Sequence, residues 1–439
     1  MRRETKRWRE IEEPEASDDP EKSLAWDAPQ NTLMMQGFEW HVPADQKHWY
    51  RLKMALPSLL DAGVDNIWIP PGCKGMDPSG TGYDVYDLYD IGEFDQKGSI
   101  STRWGSKEDL QALVEAAHDV GIGIYWDTVL NHKAGADFTE KFCAVKANPD
   151  GIMVLTIIQG SPRKADVKLD RNIVISKPES ISGWVGFDFP GRKGKYSTMK
   201  YSHRHFNGVD WDESRKQHSV YKISKPRKDW AQDVSDEHGN YDFLMFANLD
   251  HTNPEVRADI FKWAEWIGTE LPISGMRIDA AKHYSVAFQK EFVDHLRNTV
   301  GTEYFIVSEY WRGDVRHLLN YLKVMEYGVS LFDVPLLGRF AVTSKMEGSD
   351  LRKIFRGTLV EQSPAHAVTF VGNHDTGQPC IFYGDLYGIR GGAGSLSLPS
   401  CKGKLPTLMR ARKLYAYGEQ QDYFDRKNCI GEHAFSNII

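Results

Sequence analysis

From Asn31 onward the chain repeats one pattern: a short, continuous apolar run, then an amphipathic stretch with helical spacing. The runs are TLMMQGFEW, NIWIPP, GIYWDTVLNH, GMRIDAAKH, YFIVSEYW, SLFDVPL, AVTFVGNHD and QPCIFYG. A strand that is apolar on both faces must be covered on both, which parallel sheets achieve with crossover helices. SKEDLQALVEAAHDVG and NPEVRADIFKWAEWIG supply such helices, the second opened by Asn253 as N-cap and Pro254 at the first helical position. Eight runs predict an α/β fold, a (β/α)8 TIM barrel. Between Lys141 and Phe246 the pattern breaks into a Gly-, Trp- and charge-rich stretch. It predicts an irregular, β-rich domain inserted after the third strand. The expected division is a charged, disordered segment over 1–30, the barrel over 31–142 and 246–430, and the inserted domain over 143–245.

Composition narrows the function classes. A chain of 439 residues with 41% hydrophobic and 26% charged residues suits a soluble globular protein with a large core. A formal charge of -7 leaves no basic footprint, which argues against nucleic acid as a partner. No apolar stretch approaches the roughly 18 residues of a membrane span, so no membrane partner is expected. The N-terminus lacks the apolar core of a secretory signal, and its acidic residues argue against a transit peptide. The five cysteines are scattered, without a C-x-x-C pair, as in a reducing compartment. A cytoplasmic monomer is the expectation. The 12% of aromatic residues suits a sugar-stacking cleft and a large core equally.

Four runs end in polar clusters: Asp127, Asn131 and His132; Arg277, Asp279, Lys282 and His283; Glu309; and His374 with Asp375. The C-terminal strand ends of such barrels form one face, so these clusters are expected to converge. Isolated strand-end Asp residues usually cap helices. Carboxylates at several strand ends, beside Arg and His, exceed what capping needs. No G-x-S-x-G motif and no Cys within the clusters supports a Ser or Cys nucleophile.

DTVLNH, GMRIDAAKH, SEYW and FVGNHD resemble, in order, the four signature regions of the α-amylase family of glycoside hydrolases. GYDVYDLYDIGEFDQKGS, FDFPGR, HFNGVDWDESR and GNYDFLMFANLD resemble its liquefying, bacterial-type branch, which has intracellular fungal members. The resemblance runs from about Asn31 to about Ile430. It implies retaining endo-hydrolysis of α-1,4-glucosidic bonds in starch, glycogen or maltooligosaccharides. Asp279 would be the nucleophile, Glu309 the general acid and base, and Asp375 the transition-state stabiliser. Arg277 would keep Asp279 ionised, His132 and His374 would donate hydrogen bonds to the sugar, and Tyr83 would stack on its ring. Lys282 and His283 would line the leaving-group side.

The same resemblance implies bound Ca2+, held by Asn131, Asp242, Asn248 and the His283 carbonyl, with Asp170 and Asp250 at further acidic positions. Asn248 and Ala231 each replace an acidic residue of the family, which predicts one weakened site. Three further departures stand out. Residues 151–169 are extra, as a loop elaboration or an unremoved intron. The resemblance implies a C-terminal β-sandwich, of which only a remnant is expected, at 431–439. Finally, only Thr376 and Gly377 separate NHD from QPCIFYG, where relatives carry a loop and a helix. Parallel neighbours need a crossover of about a dozen residues, so the barrel is expected to be incomplete around strands 7 and 8. The alternatives are an intracellular α-glucan transglycosylase and a catalytically impaired glucan-binding relative.

Overall fold

The computed structural model describes residues 32–375, apart from 41, 148–171, 225–227, 238, 303, 344–349 and 371–372. The expectations for residues 1–30, the stretch 151–169, the eighth strand at 378–384 and the remnant at 431–439 fall outside the described residues.

Strands β1 (Met34–Gln36) and β2 (Asn66–Trp68) open the main sheet, with helix α1 (His48–Asp61) between them. A ribbon of β3 (Lys74–Gly75) and β4 (Val85–Asp87) follows, then α2 (Lys107–Asp119) and β5 (Gly123–Thr128). Six strands build a second sheet: β6 (His132–Lys133), β7 (Phe138–Ala147), β8 (Glu179–Gly186), β9 (Phe206–Asp212), β10 (Gln217–Ile223) and β11 (Ala247–Leu249). Helix α3 (Pro254–Glu270) leads back to the main sheet, which continues with β12 (Gly275–Ile278), β13 (Phe305–Ser308), β14 (Ser330–Phe332) and β15 (Ala367–Val368). Helices α4 (Val286–Thr299), α5 (Val315–Val324), α6 (Val334–Thr343) and α7 (Leu359–Gln362) connect these last strands.

The main sheet is wholly parallel and its strands follow in chain order: β1, β2, β5, β12, β13, β14, β15. It is strongly curled. Three strands separate β2 from β14, so a flat sheet would hold Trp68 and Phe332 about 19 Å apart. Their ring centroids are 5.7 Å apart. Phe38, Trp68, Tyr125, Val307 and Phe332 form a single inner cluster, while Ile124, Trp126, Met276, Ile278 and Ile306 belong to the larger core. The period of two along each strand makes this division. The second sheet is antiparallel, in the order β6-β11-β9-β10-β7-β8.

Local chemistry explains the helix starts. Asn253 accepts a hydrogen bond from the Glu255 amide at 2.9 Å, and Pro254 stands at the first helical position of α3. Ser106 caps α2 through the Asp109 amide at 3.1 Å, with Glu108 and Asp109 in the positive first turn. Along α3 the buried Val256, Ile260, Trp263, Ala264 and Ile267 recur at helical spacing and face the core.

Candidate active site

Register places the central residues. Strand β12 lies between β5 and β13, with Arg277 opposite Asp127 on one side and Val307 on the other. Tyr125 and Val307 point into the inner cluster. Asp127, two residues beyond Tyr125, and Arg277, in register with both strands, therefore share that inner face. Gly275 makes the pairing possible, since a Cβ there would stand 2.3 Å from the Phe305 carbonyl oxygen.

Arg277 is buried and organises three carboxyl groups. Its Nη1 donates to Asp127 Oδ1 at 2.7 Å and to Asp279 Oδ1 at 2.8 Å, and its Nη2 lies 3.3 Å from Glu309 Oε2. Glu309 also accepts the Ala280 amide at 2.8 Å. Ala280 presents that amide from the left-handed region, at φ 51°, a conformation unusual for a residue with a Cβ. Burial pushes the Asp279 carboxyl up to about 7, against the pull of Arg277. Burial also raises Glu309, again opposed by Arg277 and assisted by the Asp279 charge. Asp375 goes up to about 6 through burial and the neighbouring Glu309 charge. Its carboxylate lies 3.4 Å from His374 Nε2 and is the most open of the three predicted catalytic carboxyls, with a side chain 43% exposed.

Asp127, the first residue of the DTVLNH cluster, has no role assigned from the sequence and is the hub. Beyond Arg277, it accepts hydrogen bonds from Trp68 Nε1 and Tyr83 Oη, both at 2.8 Å. Its place at a strand end beside Asn131 and His132 was the available signal; Trp68, inside an apolar run, gave none. The Tyr83 ring stacks on His374, with centroids 5.4 Å apart and planes 9° from parallel, and Trp40 packs against both. His132 Nε2 donates to the Tyr83 carbonyl at 2.8 Å. Burial holds His132 down at about 4 and His374 well below the usual histidine range, so both are neutral near pH 7. Lys282 donates to Glu237 Oε2 at 2.7 Å and to the Trp311 carbonyl at 3.2 Å. Glu237 is a second residue without a motif to mark it.

The residues named for a metal divide. Asp242 accepts Asn248 Nδ2 at 3.0 Å, and the Leu249 amide donates to the Asn131 carbonyl at 3.0 Å, so Asn131, Asp242 and Asn248 gather at one place. The His283 side chain reaches the neighbouring Tyr241, whose carbonyl accepts His283 Nδ1 at 3.0 Å. Asn131 Oδ1 and Asn248 Oδ1 are buried without a hydrogen-bond partner. Burial pushes Asp242 up to about 7. Among the described residues no group of three or more His, Cys, Asp or Glu side chains stands together as a metal site. Asp170 lies outside the described residues. Asp250 is closed by Lys228 Nζ and by the Thr252 hydroxyl at 2.6 Å.

Comparison with known proteins gives the family. The family description "Alpha amylase, catalytic domain" matches residues 52–170. An alpha-amylase of Bacillus licheniformis is 41% identical over 429 residues, covering 91% of this chain and 80% of that protein. The cytoplasmic alpha-amylase of Escherichia coli (strain K12) is 35% identical over 438 residues, covering 91% of this chain and 84% of that protein. Among solved structures, a cyclomaltodextrin glucanotransferase with a three-domain ABC distribution shares the fold at a TM-score of 0.50 and 17% identity, over 79% of this chain and 65% of that chain. The main sheet is that of a TIM-barrel domain, and the chain belongs to the α-amylase family.

Proposed function

We propose that this protein hydrolyses internal α-1,4-glucosidic bonds of starch, glycogen or maltooligosaccharides, with retention of configuration. The observation that carries the reading is the anchoring of Asp279 and Glu309 on one buried guanidinium. Retention needs a close carboxyl pair, about 5 Å apart, whereas inversion needs a wider gap for water. Asp279 attacks the anomeric carbon while Glu309 gives its proton to the leaving oxygen. Water then adds to that carbon, passes a proton to Glu309 and releases Asp279. Burial suits Glu309 to its part by raising its carboxyl above the usual glutamate range, so that it holds its proton more readily. Arg277 supports the anionic form of Asp279, and Asp127 holds Arg277 in place. Asp375 stabilises positive charge on the sugar ring. Tyr83 and His374 bind the sugar at the reacting position, His132, with its Nε2 committed to the Tyr83 carbonyl, holds Tyr83 in place, and Lys282 with His283 takes the leaving side.

Ca2+ is the proposed metal. The fit rests on the two orphaned amide oxygens of Asn131 and Asn248, next to the buried Asp242 carboxylate. Ca2+ favours such oxygen donors, and with the His283 carbonyl they would hold one ion as a structural clamp. A monomer in the cytoplasm, acting on a soluble α-glucan, completes the reading. No helix among the described residues is long and apolar enough to cross a membrane.

Product analysis with maltoheptaose tests the reaction. The expected result is shorter maltooligosaccharides. Chiefly longer sugars would point to a transglycosylase, and unchanged substrate to an impaired relative.

A further inference from the structure

Strand order places Asp127 and Glu309 on opposite sides of Asp279. Tyr83 and Trp68 attach to Asp127, while a separate polar cluster lies beyond Glu309. Its centre is Arg312, three residues after the acid. Arg312 Nη1 donates to Ser235 Oγ at 2.7 Å and Asp236 Oδ1 at 3.0 Å, and its Nη2 donates to His317 Nε2 at 2.7 Å. The turn it grips, 233–237, has a second foot: Asp233 Oδ2 accepts Ser285 Oγ and the Ala287 amide, both at 2.8 Å. The Ser235 amide also donates to the Lys282 carbonyl at 3.0 Å. Just after these anchors the turn presents Glu237 to Lys282, whose ammonium reaches the Trp311 carbonyl beside Arg312. A closed ring of contacts thus joins the residues following the acid to those following the nucleophile.

The Lys282–Glu237 pair is open to a ligand on one side, since the Glu237 side chain is 40% exposed. An ammonium beside a carboxylate offers a donor and an acceptor at the spacing of adjacent sugar hydroxyls. Left alone, such a partly exposed pair is held weakly. Arg312 removes that freedom before any sugar arrives, which lowers the cost of binding there.

We infer that Arg312 is a positioning residue for the sugar on the leaving-group side, and that through Glu237 and Lys282 it sets how often a second glucan, rather than water, takes the glycosyl group. The inference rests on the hydrolase reading above. In the transfer step an acceptor hydroxyl bonds to the anomeric carbon, its proton passes to Glu309, and the ester bond to Asp279 breaks. A longer-lived acceptor competes better with water for the same intermediate.

Wild type, Arg312→Gln, Arg312→Lys and Asp236→Asn are compared on millimolar maltoheptaose, with melting curves recorded for each. The readouts are kcat, KM and the ratio of sugars longer than seven units to new reducing ends. Arg312→Gln should lower the ratio and raise KM about threefold, with kcat within about twofold of wild type, and Asp236→Asn, which keeps an oxygen to accept from Arg312, should move both in the same direction by less. Arg312→Lys should fall between wild type and Arg312→Gln. Should Arg312→Gln fail to fold, Asp236→Asn decides, because Asp236 has a side chain 75% exposed. A wild type that forms no longer sugars, or variants that match its ratio and KM, would overturn this inference alone. A wild type silent on maltoheptaose would overturn the hydrolase reading as well.

Discussion

Arg277 is enclosed with three acidic partners, Asp127, Asp279 and Glu309, so three carboxyl groups share one cation in a dry setting. Such a site stores electrostatic cost that catalysis can use. Asp279→Asn and Glu309→Gln keep the shape but remove the nucleophile or the proton. Each should lower kcat by on the order of a thousandfold or more, measured as reducing-end release. Stability should move the other way for Asp279→Asn. Its carboxyl sits at about 7 in the fold, above the ordinary value of 3.8, so its favourable contribution is lost as pH rises through that window. Removing the titrating group should therefore stabilise the protein near pH 8, and by less near pH 5. Melting curves at both pH values check this. The carboxylates were legible in the sequence because each ends an apolar run. Asp127's role as hub was not, because it depends on partners 59 residues away at Trp68 and 150 residues away at Arg277.

Elements carry these residues through register. Gly275↔Phe305 is the first pair of β12 with β13, and the same ladder sets Arg277 beside Val307 and Glu309 just beyond. Gly275→Ala would force a Cβ against the Phe305 carbonyl, which stands 2.3 Å from its ideal position. A loss of about 2–3 kcal/mol is expected, with kcat falling as well because the ladder positions the acid; denaturant melts and initial rates measure both. Strand and helix alternation was readable, since buried parallel strands are continuously apolar. The second sheet was harder to read. In β8 the buried Ile181, Gly183 and Val185 alternate with more exposed neighbours, including Trp184, so no run forms. The proposed Ca2+ site lies where β6 and β11 meet. Calcium should raise the melting temperature, and Asn248→Asp should enlarge that rise by adding an anionic oxygen. Identical melts with calcium and with chelator, in both proteins, would count against the site.

Among the described residues, seven parallel strands in chain order bring the predicted clusters to one face. The eighth predicted run begins at Gln378, three residues after Asp375. That link can span at most about 10 Å, too short for a parallel crossover. Asp375 adjoins the junction, and a misplacement of about 1 Å can cost on the order of a hundredfold in rate. Grafting the relatives' loop and helix after Thr376 should therefore raise kcat and melting temperature together. Equal values for the two chains would refute the geometric premise. Asp279 and Glu309 are expected to act as a close, retaining pair on Arg277. Proton NMR of the new reducing end, recorded in the first seconds of maltoheptaose cleavage before mutarotation, tests it most directly. The α-anomer should appear first in the wild type and vanish in Asp279→Asn. A β-anomer at first turnover, or α-product undiminished in Asp279→Asn, would contradict the account.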